Sequence, residues 1–386
     1  ARAWGVPAAE CRAGVHVVRH EPSGRELGFG QLAAGARELS IPDRDSLTLK
    51  PDSELRYIGR ETGMVNGDPR AGSARPPAID GDGMVSGSAV YGGDVILDDQ
   101  LFAVVARPPV YGATLESVDE TGALKVPGVV KVVTIEGKGQ PAGFEPLGGV
   151  AVVAENTWAA IEGRRALSIE WNREAAGDNA RYDTEAYRKA LEESAQSPGK
   201  TIRESGNIEQ ALEKADKRLA ATYYMPHMAQ APMEPPVAVV RLKDGKGEAW
   251  APVQHPRATR EGVAGKLGLG VGDVTVNVTL LGGGFGRKSK PDFVMEAATI
   301  ARQLEGRPVR VQWTREDDIQ HTYFHANSVD RLEAGLDADG RAIGWFRSVY
   351  NLPHAFAIQS FASEMAKAAG RDHRDSRHQR LRRDHA

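Results

Sequence analysis

A glycine-rich segment, residues 282–288, has the residue types of a loop that binds an anionic group. Three glycines, a phenylalanine and a fourth glycine precede two cationic residues, Arg287 and Lys288. Glycine allows unusual backbone angles and brings N–H groups close to a ligand, while the two cations and the following helix add positive potential. The pattern therefore indicates a site for a cofactor that carries phosphate groups.

The segment does not follow the common phosphate-binding patterns. The sequence Gly-x4-Gly-Lys-Ser/Thr of a P-loop fits at no register, and Arg287 stands where the dinucleotide pattern Gly-x-Gly-x-x-Gly needs its last glycine. A tight turn, in which glycine only relieves crowding, is therefore an open alternative to a ligand site.

Two other segments carry side chains that could line a site. Prolines bracket Met233 and Glu234 within residues 224–236, and a loop fixed in this way often lines a site. A stiff connection between strands, with Met as a core filler, is the more ordinary interpretation. Gln254 lies beside His255 between a strand end and a helix start, where its amide could donate to an oxo ligand and accept from a cofactor amine.

The side chains alone predict no metal site. Cys11 is the only cysteine, which excludes an internal disulfide, a cysteine-rich zinc site and an iron–sulfur cluster within this chain. His321 and His325 are four residues apart, but their segment does not resemble a helix, so we expect no histidine to bind metal. The charged residues 315–318 are interpreted as a solvated turn with a helix cap.

The predicted elements around the glycine-rich segment form a strand–loop–helix unit. Apolar and polar residues alternate over 274–280, which indicates a half-buried strand. The stretch 291–304 is typical of a helix with proline in its first turn. Residues 237–242 and 248–251 flank Lys-Asp-Gly-Lys-Gly and predict a hairpin, and 259–267 predicts a helix.

The whole chain is predicted to have an α+β fold, because short strands and helices interleave along it. Asn156 and Asn207 are expected to cap helices. We divide the chain into a first segment, a Gly/Pro/Ser-rich linker, a compact unit, a polar connector, a second unit and an atypical tail: 1–58, 59–83, 84–175, 176–205, 206–369 and 370–386.

Composition narrows the functional classes. The net charge is −3, from 49 basic and 52 acidic residues, which disfavours a generally basic nucleic-acid-binding protein. No apolar run reaches the ~18 residues of a membrane-spanning helix. The Arg- and His-rich residues 370–386 and the absence of an initiator Met lead us to expect that the two ends are edges of a piece rather than natural termini, and the sequence leaves periplasm and cytoplasm open.

Three motifs in order resemble the molybdopterin-binding large subunit of the xanthine dehydrogenase/aldehyde oxidase family. They are Met-Pro-His-Met-Ala-Gln-Ala-Pro-Met-Glu-Pro from residue 225, Trp-Ala-Pro-Val-Gln-His-Pro from residue 250, and the strand with its Gly-Gly-Gly-Phe-Gly-Arg-Lys loop. Arg287, together with 291–298 and 313–318, is most similar to the isoquinoline 1-oxidoreductase beta-subunit branch. In this resemblance, 84–175 corresponds to an a/b hammerhead domain, followed by part of the molybdopterin-binding domain.

The resemblance implies a hydroxylase that takes its oxygen from water and oxidises an N-heterocycle or an aldehyde. It implies a molybdopterin cytosine dinucleotide with molybdenum, and a small partner subunit with two [2Fe-2S] clusters that receives the electrons. By motif matching, Gln254 corresponds to the family's glutamine near the apical molybdenum oxygen, and Phe285 lies near the metal face. The cofactor-binding residues that follow are Gln254, Gly283, Gly284, Phe285, Gly286 and Arg287.

The resemblance also leaves functions open. Ser289 replaces a substrate-binding Glu of the xanthine-specific branch, which disfavours a purine substrate. The family's catalytic Glu lies in a C-terminal half that matches nothing here, so no catalytic residue is assigned. The alternatives are a non-catalytic module that binds only the iron–sulfur subunit or part of the cofactor, and an unrelated phosphate-binding α/β protein.

Overall fold

The computed structural model describes residues 1–47, 51–54, 80–197, 199–201, 205–346 and 351–371. It divides into two units, Ala1–Gly81 and Asp82–Ala386. Most of the predicted linker 59–83 and most of the predicted tail 370–386 lie outside the described residues.

The first unit contains a small antiparallel sheet. Its three strands, β1 (Cys11–Gly14), β2 (Val17–His20) and β3 (Glu26–Gly28), pair in chain order, and helix α1 (Phe29–Ala36) follows. The His20 ring is 5% exposed and anchors this sheet through contacts of 2.8 Å to the Glu10 carboxylate and 2.6 Å to a serine hydroxyl.

Most of the helices and strands belong to the second unit. In chain order they are α2 (Gly81–Ser86), β4 (Leu101–Ala106), β5 (Thr114–Asp119), β6 (Val129–Ile135), β7 (Gly149–Ala154), α3 (Thr157–Arg165), β8 (Ser168–Asn172), α4 (Thr184–Ser194), α5 (Ile208–Glu213), β9 (Lys217–Met225), β10 (Val237–Lys243), β11 (Lys246–Ala251), α6 (Pro256–Leu267), β12 (Val274–Val278), α7 (Asp292–Ala301), β13 (Val309–Gln312), α8 (Arg315–His321), β14 (Ser328–Leu336), β15 (Ala342–Phe346) and α9 (Asn351–Ala368).

A seven-stranded mixed sheet organises this unit, with the order β12-β11-β10-β13-β4-β7-β6. The pairs β11–β12 and β13–β4 are parallel and the others antiparallel. Helices α6 and α7 pack on one face, where Val263, Phe293 and Ile300 are fully buried. Helix α3 covers part of the opposite face beside Val104. Residues of α7 are buried on nearly every side, as expected of a helix inside a core.

Two smaller antiparallel sheets complete the unit. Strands β15, β14 and β9 form one of them, and helix α9 packs on it through Phe361, which contacts the cluster containing Leu332. Strands β5 and β8 form a two-stranded ribbon.

Several local predictions are confirmed. The β10–β11 hairpin turns at Asp244 and Gly245, both with positive φ, as Asp-Gly predicts. The Asn156 side chain accepts a hydrogen bond from the Ala159 N–H at 2.8 Å and caps α3. Asn207 caps α5 in the same way, with the N–H donor of Gln210 at 2.9 Å.

The structure corrects the predicted division between 84–175 and 206–369. Strands from both segments share the seven-stranded sheet, because β4 pairs with β13 about 200 residues later, Leu101 opposite Val309. Such a long-range pairing leaves no signal in local patterns of apolar residues. The α+β class is confirmed, whereas the hammerhead assignment stays a prediction.

The contact of α3 with the sheet is tight enough to test by substitution. A Cβ added at Gly163 would lie 2.7 Å from Val152 Cγ1 and 2.8 Å from Val129 Cγ2, and both are stiff, branched side chains. We expect Gly163→Ala to lower the free energy of unfolding by about 1–3 kcal/mol, measured by urea denaturation.

Gly265→Ala in α6 is the matched control, because no atom lies within 4 Å of its added Cβ. It should raise stability by about 0.5–1 kcal/mol through helix propensity. Equal effects of the two substitutions would contradict close packing of α3 on β6 and β7.

Candidate cofactor-binding site

The glycine-rich loop connects β12 to α7, as predicted, and it needs glycine at defined positions. Gly283 and Gly286 have φ of +95° and +89°, and Phe285 between them has φ of +50°. Residues other than glycine rarely adopt these left-handed backbone angles, so each glycine avoids strain that another residue would introduce. The Phe285 side chain is 69% exposed.

The Glu234 carboxylate holds the start of the loop. It accepts hydrogen bonds from the N–H groups of Gly93 and Gly282, each at 3.2 Å, and from Lys288 Nζ at 2.6 Å. The Glu234 N–H in turn donates to the Gly282 carbonyl at 2.9 Å. The proline-bracketed segment, which connects β9 to β10 as expected, therefore also lines the loop. The interpretation of Met233 as a core filler is wrong, because its side chain is 89% exposed.

Gln254 holds the end of the loop. Its N–H donates to the Lys288 carbonyl at 2.9 Å, and its Oε1 accepts from the Gly286 N–H at 3.1 Å. A Cβ on Gly284 would lie 2.7 Å from this Oε1, so the glutamine side chain packs directly on the loop backbone. Residues of the second and third motifs thus meet.

Between these two anchors, hydrogen-bond donors remain without partners. In the described part of the chain, the N–H groups of Gly283, Gly284 and Phe285 donate to no acceptor, and neither does Gln254 Nε2. Consecutive backbone N–H groups in mixed-handed conformations form a concavity that binds anionic or oxygen-rich groups. These donors suit the oxygen atoms of a bound ligand.

The two cations that follow the loop do not face outward, contrary to the sequence expectation of added positive potential. Arg287 and Lys288 are both fully buried. The guanidinium of Arg287 forms two hydrogen bonds with Asp292, at 2.9 and 2.8 Å, and Lys288 pairs with Glu234. A cofactor role for Arg287 thus stays a prediction that its buried guanidinium does not support.

Burial disfavours the charged forms of Arg287 and Lys288, and their carboxylate partners oppose this effect. Desolvation lowers the pKa of Lys288, although Glu234 favours its charged form. Desolvation also opposes the charge of Arg287, but the carboxylate of Asp292 outweighs it and raises the pKa of Arg287. Each ion therefore has one hydrogen-bonded carboxylate partner, and the charge of Asp318 favours both charged forms.

A buried ionic network lies behind the loop and was not predicted from the sequence. Arg107 forms a bidentate pair with Glu296, at 2.8 and 2.6 Å, and its guanidinium stacks 3.7 Å from the Trp313 ring centroid. Trp313 donates to Glu296 at 2.9 Å, and Arg164 pairs with Asp317 at 2.8 Å. Glu296 lies among alanines in α7 and is almost completely buried. The periodicity of α7 is the one sequence signal that could have predicted this burial.

The charged residues 315–318 are not a solvated turn. They begin helix α8, which Thr314 caps, so the helix predicted to start here is present. Asp318 is fully buried, however, and Asp317 is 7% exposed. Arg315 donates to Asp318 at 2.5 Å and to the carbonyls of Pro232 and Met233 at 2.5 and 3.0 Å. The cluster therefore fixes the loop that carries Glu234.

The described residues contain no group of three or more His, Cys, Asp or Glu side chains arranged to hold a metal ion. His321, placed outside any helix by the sequence interpretation, is the last residue of α8. In the same part of the chain, no helix combines the length and apolar character needed to cross a bilayer.

Comparison with known proteins agrees with this geometry. The profile of the molybdopterin cofactor-binding domain matches residues 193–351. Isoquinoline 1-oxidoreductase subunit beta of Brevundimonas diminuta is 30% identical over 95% of this chain and 48% of its own. The membrane-bound aldehyde dehydrogenase [pyrroloquinoline-quinone] of Gluconacetobacter polyoxogenes is 29% identical over 89% of this chain and 44% of its own. The chain spans about half the length of these curated relatives.

A solved structure shows the same fold. Quinoline 2-oxidoreductase from Pseudomonas putida 86 superposes with a TM-score of 0.57 over 78% of this chain and 48% of the other, at 17% identity. The superposition shows a fold of mixed α and β structure, and the matching domain profile indicates molybdopterin binding. The chain resembles the large subunits of the xanthine dehydrogenase/aldehyde oxidase family, as the three motifs predicted.

The buried pair of Glu234 and Lys288 should couple strongly. Glu234→Gln and Lys288→Met should each lower the free energy of unfolding by about 3–5 kcal/mol, because each leaves a buried ion unpaired. The double variant should lose clearly less than the sum of the two. Urea denaturation of all four proteins measures this coupling.

Lys246→Met is the control, because Lys246 pairs with Asp273 at 2.5 Å but its side chain is 66% exposed. Its effect should stay within about 1 kcal/mol. Additive losses in Glu234→Gln and Lys288→Met would contradict the ion pair.

His321 should make stability depend on pH. Burial lowers the pKa of His321 to about 4 from its ordinary 6.5, and the charge of Arg107 acts in the same direction. Between these values the unfolded chain takes up a proton that the folded chain does not, so stability falls as pH drops from 6.5 to 4. In His321→Asn, a contribution on the order of 2 kcal/mol to this fall should disappear in urea titrations at several pH values. An unchanged pH slope would contradict the assignment.

Proposed function

We propose that this chain supplies the cofactor-binding side of a molybdenum hydroxylase. The enzyme would bind molybdopterin cytosine dinucleotide, oxidise an N-heterocycle or an aldehyde with oxygen from water, and pass the electrons to a small [2Fe-2S] subunit. One observation carries the proposal: three successive loop N–H groups and one glutamine amide are left as donors between two rigid anchors.

The loop is built to present backbone donors rather than charge. Gly283, Gly284 and Phe285 offer N–H groups whose direction is fixed because Gly282 is bonded to Glu234 and Gly286 to Gln254. Donors held in place beforehand need no reorganisation when a ligand arrives, and this strengthens binding. We assign these N–H groups to oxygen atoms of the cofactor.

Gln254 is the side chain proposed to orient the cofactor. Its Oε1 is committed to the Gly286 N–H at 3.1 Å, which leaves Nε2 as the outward donor. An amide in this state can donate to an oxo group and cannot take up a proton. Gln254 therefore acts by hydrogen bonding and not as an acid or base.

When bound, the cofactor supplies the two-electron redox chemistry, while the protein supplies orientation and exclusion of water. Phe285 presents an exposed ring beside the donors and would shield them from solvent. The Glu234 carboxylate contacts the loop, but it accepts hydrogen bonds from three donors, so it holds structure rather than moving a proton. No catalytic base is assigned.

The substrate class and the electron route rest on the relatives. The names of the isoquinoline and aldehyde enzymes describe an N-heterocycle and an aldehyde as substrates. The single cysteine among these 386 residues cannot supply the ligand set of an iron–sulfur cluster, and the separate [2Fe-2S] subunit is proposed from the family resemblance.

Cofactor content tests the proposal directly. The 386-residue chain is purified from a bacterial host that makes molybdopterin cytosine dinucleotide, and released pterin fluorescence, molybdenum and cytidine monophosphate are measured. We expect pterin and cytidine monophosphate in the wild type and a loss of about tenfold in Gly284→Val, because the added side chain displaces Gln254. Gly139→Val, with no atom within 4 Å of its added Cβ, should behave as the wild type.

Other outcomes separate the alternatives. Pyrroloquinoline quinone in place of pterin, or no pterin above the level of Gly284→Val, would contradict the cofactor assignment. Retention of pterin without dye-linked oxidation of isoquinoline or benzaldehyde would support the non-catalytic alternative. Binding of ATP or NAD would support an unrelated phosphate-binding protein.

A further inference from the structure

We infer that Arg287 is a positioning residue: its buried guanidinium anchors the glycine-rich loop in a socket formed by Asp292 and three aromatic rings. The loop's attachment to this socket keeps its backbone donors in place. The link between the socket and cofactor binding rests on the proposed function, whereas the anchoring of the loop does not.

The socket encloses the guanidinium completely. Its planar group lies 4.9 Å from the Trp313 ring centroid, 5.1 Å from that of Tyr323 and 5.9 Å from that of Phe293. Aromatic rings at such distances stabilise a flat cation through their negative faces. These rings come from α7, the end of β13 and the segment after α8, so three elements converge on one side chain.

Asp292 is the partner that makes this burial possible. Both oxygens of Asp292 accept hydrogen bonds from the Arg287 guanidinium. Within the described residues the guanidinium has no other acceptor, and its Nε is buried without a partner. Asp292 begins α7, a helix that is buried in the core on nearly every side. The fork geometry of arginine suits two parallel bonds to one carboxylate, and lysine cannot reproduce it.

The backbone of Arg287 transmits this anchorage to the loop. Its N–H donates to the Gly284 carbonyl at 2.8 Å and closes the turn that contains Phe285. The next residue, Lys288, accepts the backbone N–H of Gln254 at 2.9 Å. A loop of glycines has little stiffness of its own, so its conformation depends on such fixed ends.

The experiment measures the loop without relying on activity. Hydrogen exchange followed by mass spectrometry reports the protection of the Gly282, Gly286 and Arg287 N–H groups in the full 386-residue chain. We expect Arg287→Met/Asp292→Asn, which removes both charges, to keep a cooperative unfolding transition. Its loop peptide should nevertheless exchange about tenfold faster than in the wild type. Arg287→Lys should restore protection only in part.

Arg241→Met is the matched control, because Arg241 also pairs with a glutamate and lies near a tryptophan ring, at 5.7 Å, but on the β10–β11 hairpin. It should leave loop exchange unchanged. Wild-type protection in the double variant would overturn the inference, as would full rescue by lysine. Pterin retention is measured in the same samples. Fast exchange with unchanged pterin would contradict a role of the loop in cofactor binding, but it would still support the anchoring of the loop by Arg287.

Discussion

Everything at this site depends on the burial of two adjacent cations. Arg287 and Lys288 are fully enclosed, and an enclosed ion is tolerated only with a partner of opposite charge. Asp292 binds one and Glu234 the other, so the chain must bring α7 and the proline-bracketed segment to the same loop. The loop therefore has two fixed ends, and its glycines adopt the left-handed angles between them. The resulting outward donors are uncharged backbone groups.

This arrangement separates holding the loop from binding a ligand. The charges of Arg287 and Lys288 are neutralised by carboxylates inside the protein. Arg107, Glu296 and Trp313 continue this buried ionic network towards α3 and α8. The outward donors, in contrast, carry no formal charge and have no competing partner in the described chain. A site built in this way recognises oxygen atoms by their position more than by their charge, which suits a cofactor that must be held in one orientation.

Local sequence patterns predicted the parts that local physics determines. The Asp-Gly hairpin, the Asn156 and Asn207 caps and the strand–loop–helix unit around the glycines are set by short-range geometry, and they are confirmed. The motifs also predicted the resemblance to molybdopterin-binding large subunits that the comparisons found. Local patterns could not predict the pairing of β4 with β13 or the partners of the two cations. Both link residues that are far apart in the chain. An Arg-Lys pair after a loop has the same local pattern whether it faces solvent or a buried carboxylate.

The central claim is that the loop binds its ligand through the N–H groups of residues 283–285 and leaves the Arg287 socket intact. A crystal structure of the chain purified from a host that makes the cofactor tests it most directly. The account predicts cofactor oxygens within hydrogen-bond distance of these three N–H groups and of Gln254 Nε2, with Arg287 still bound to Asp292. Cofactor phosphate bound to the Arg287 guanidinium, with the Asp292 pair broken, would contradict it.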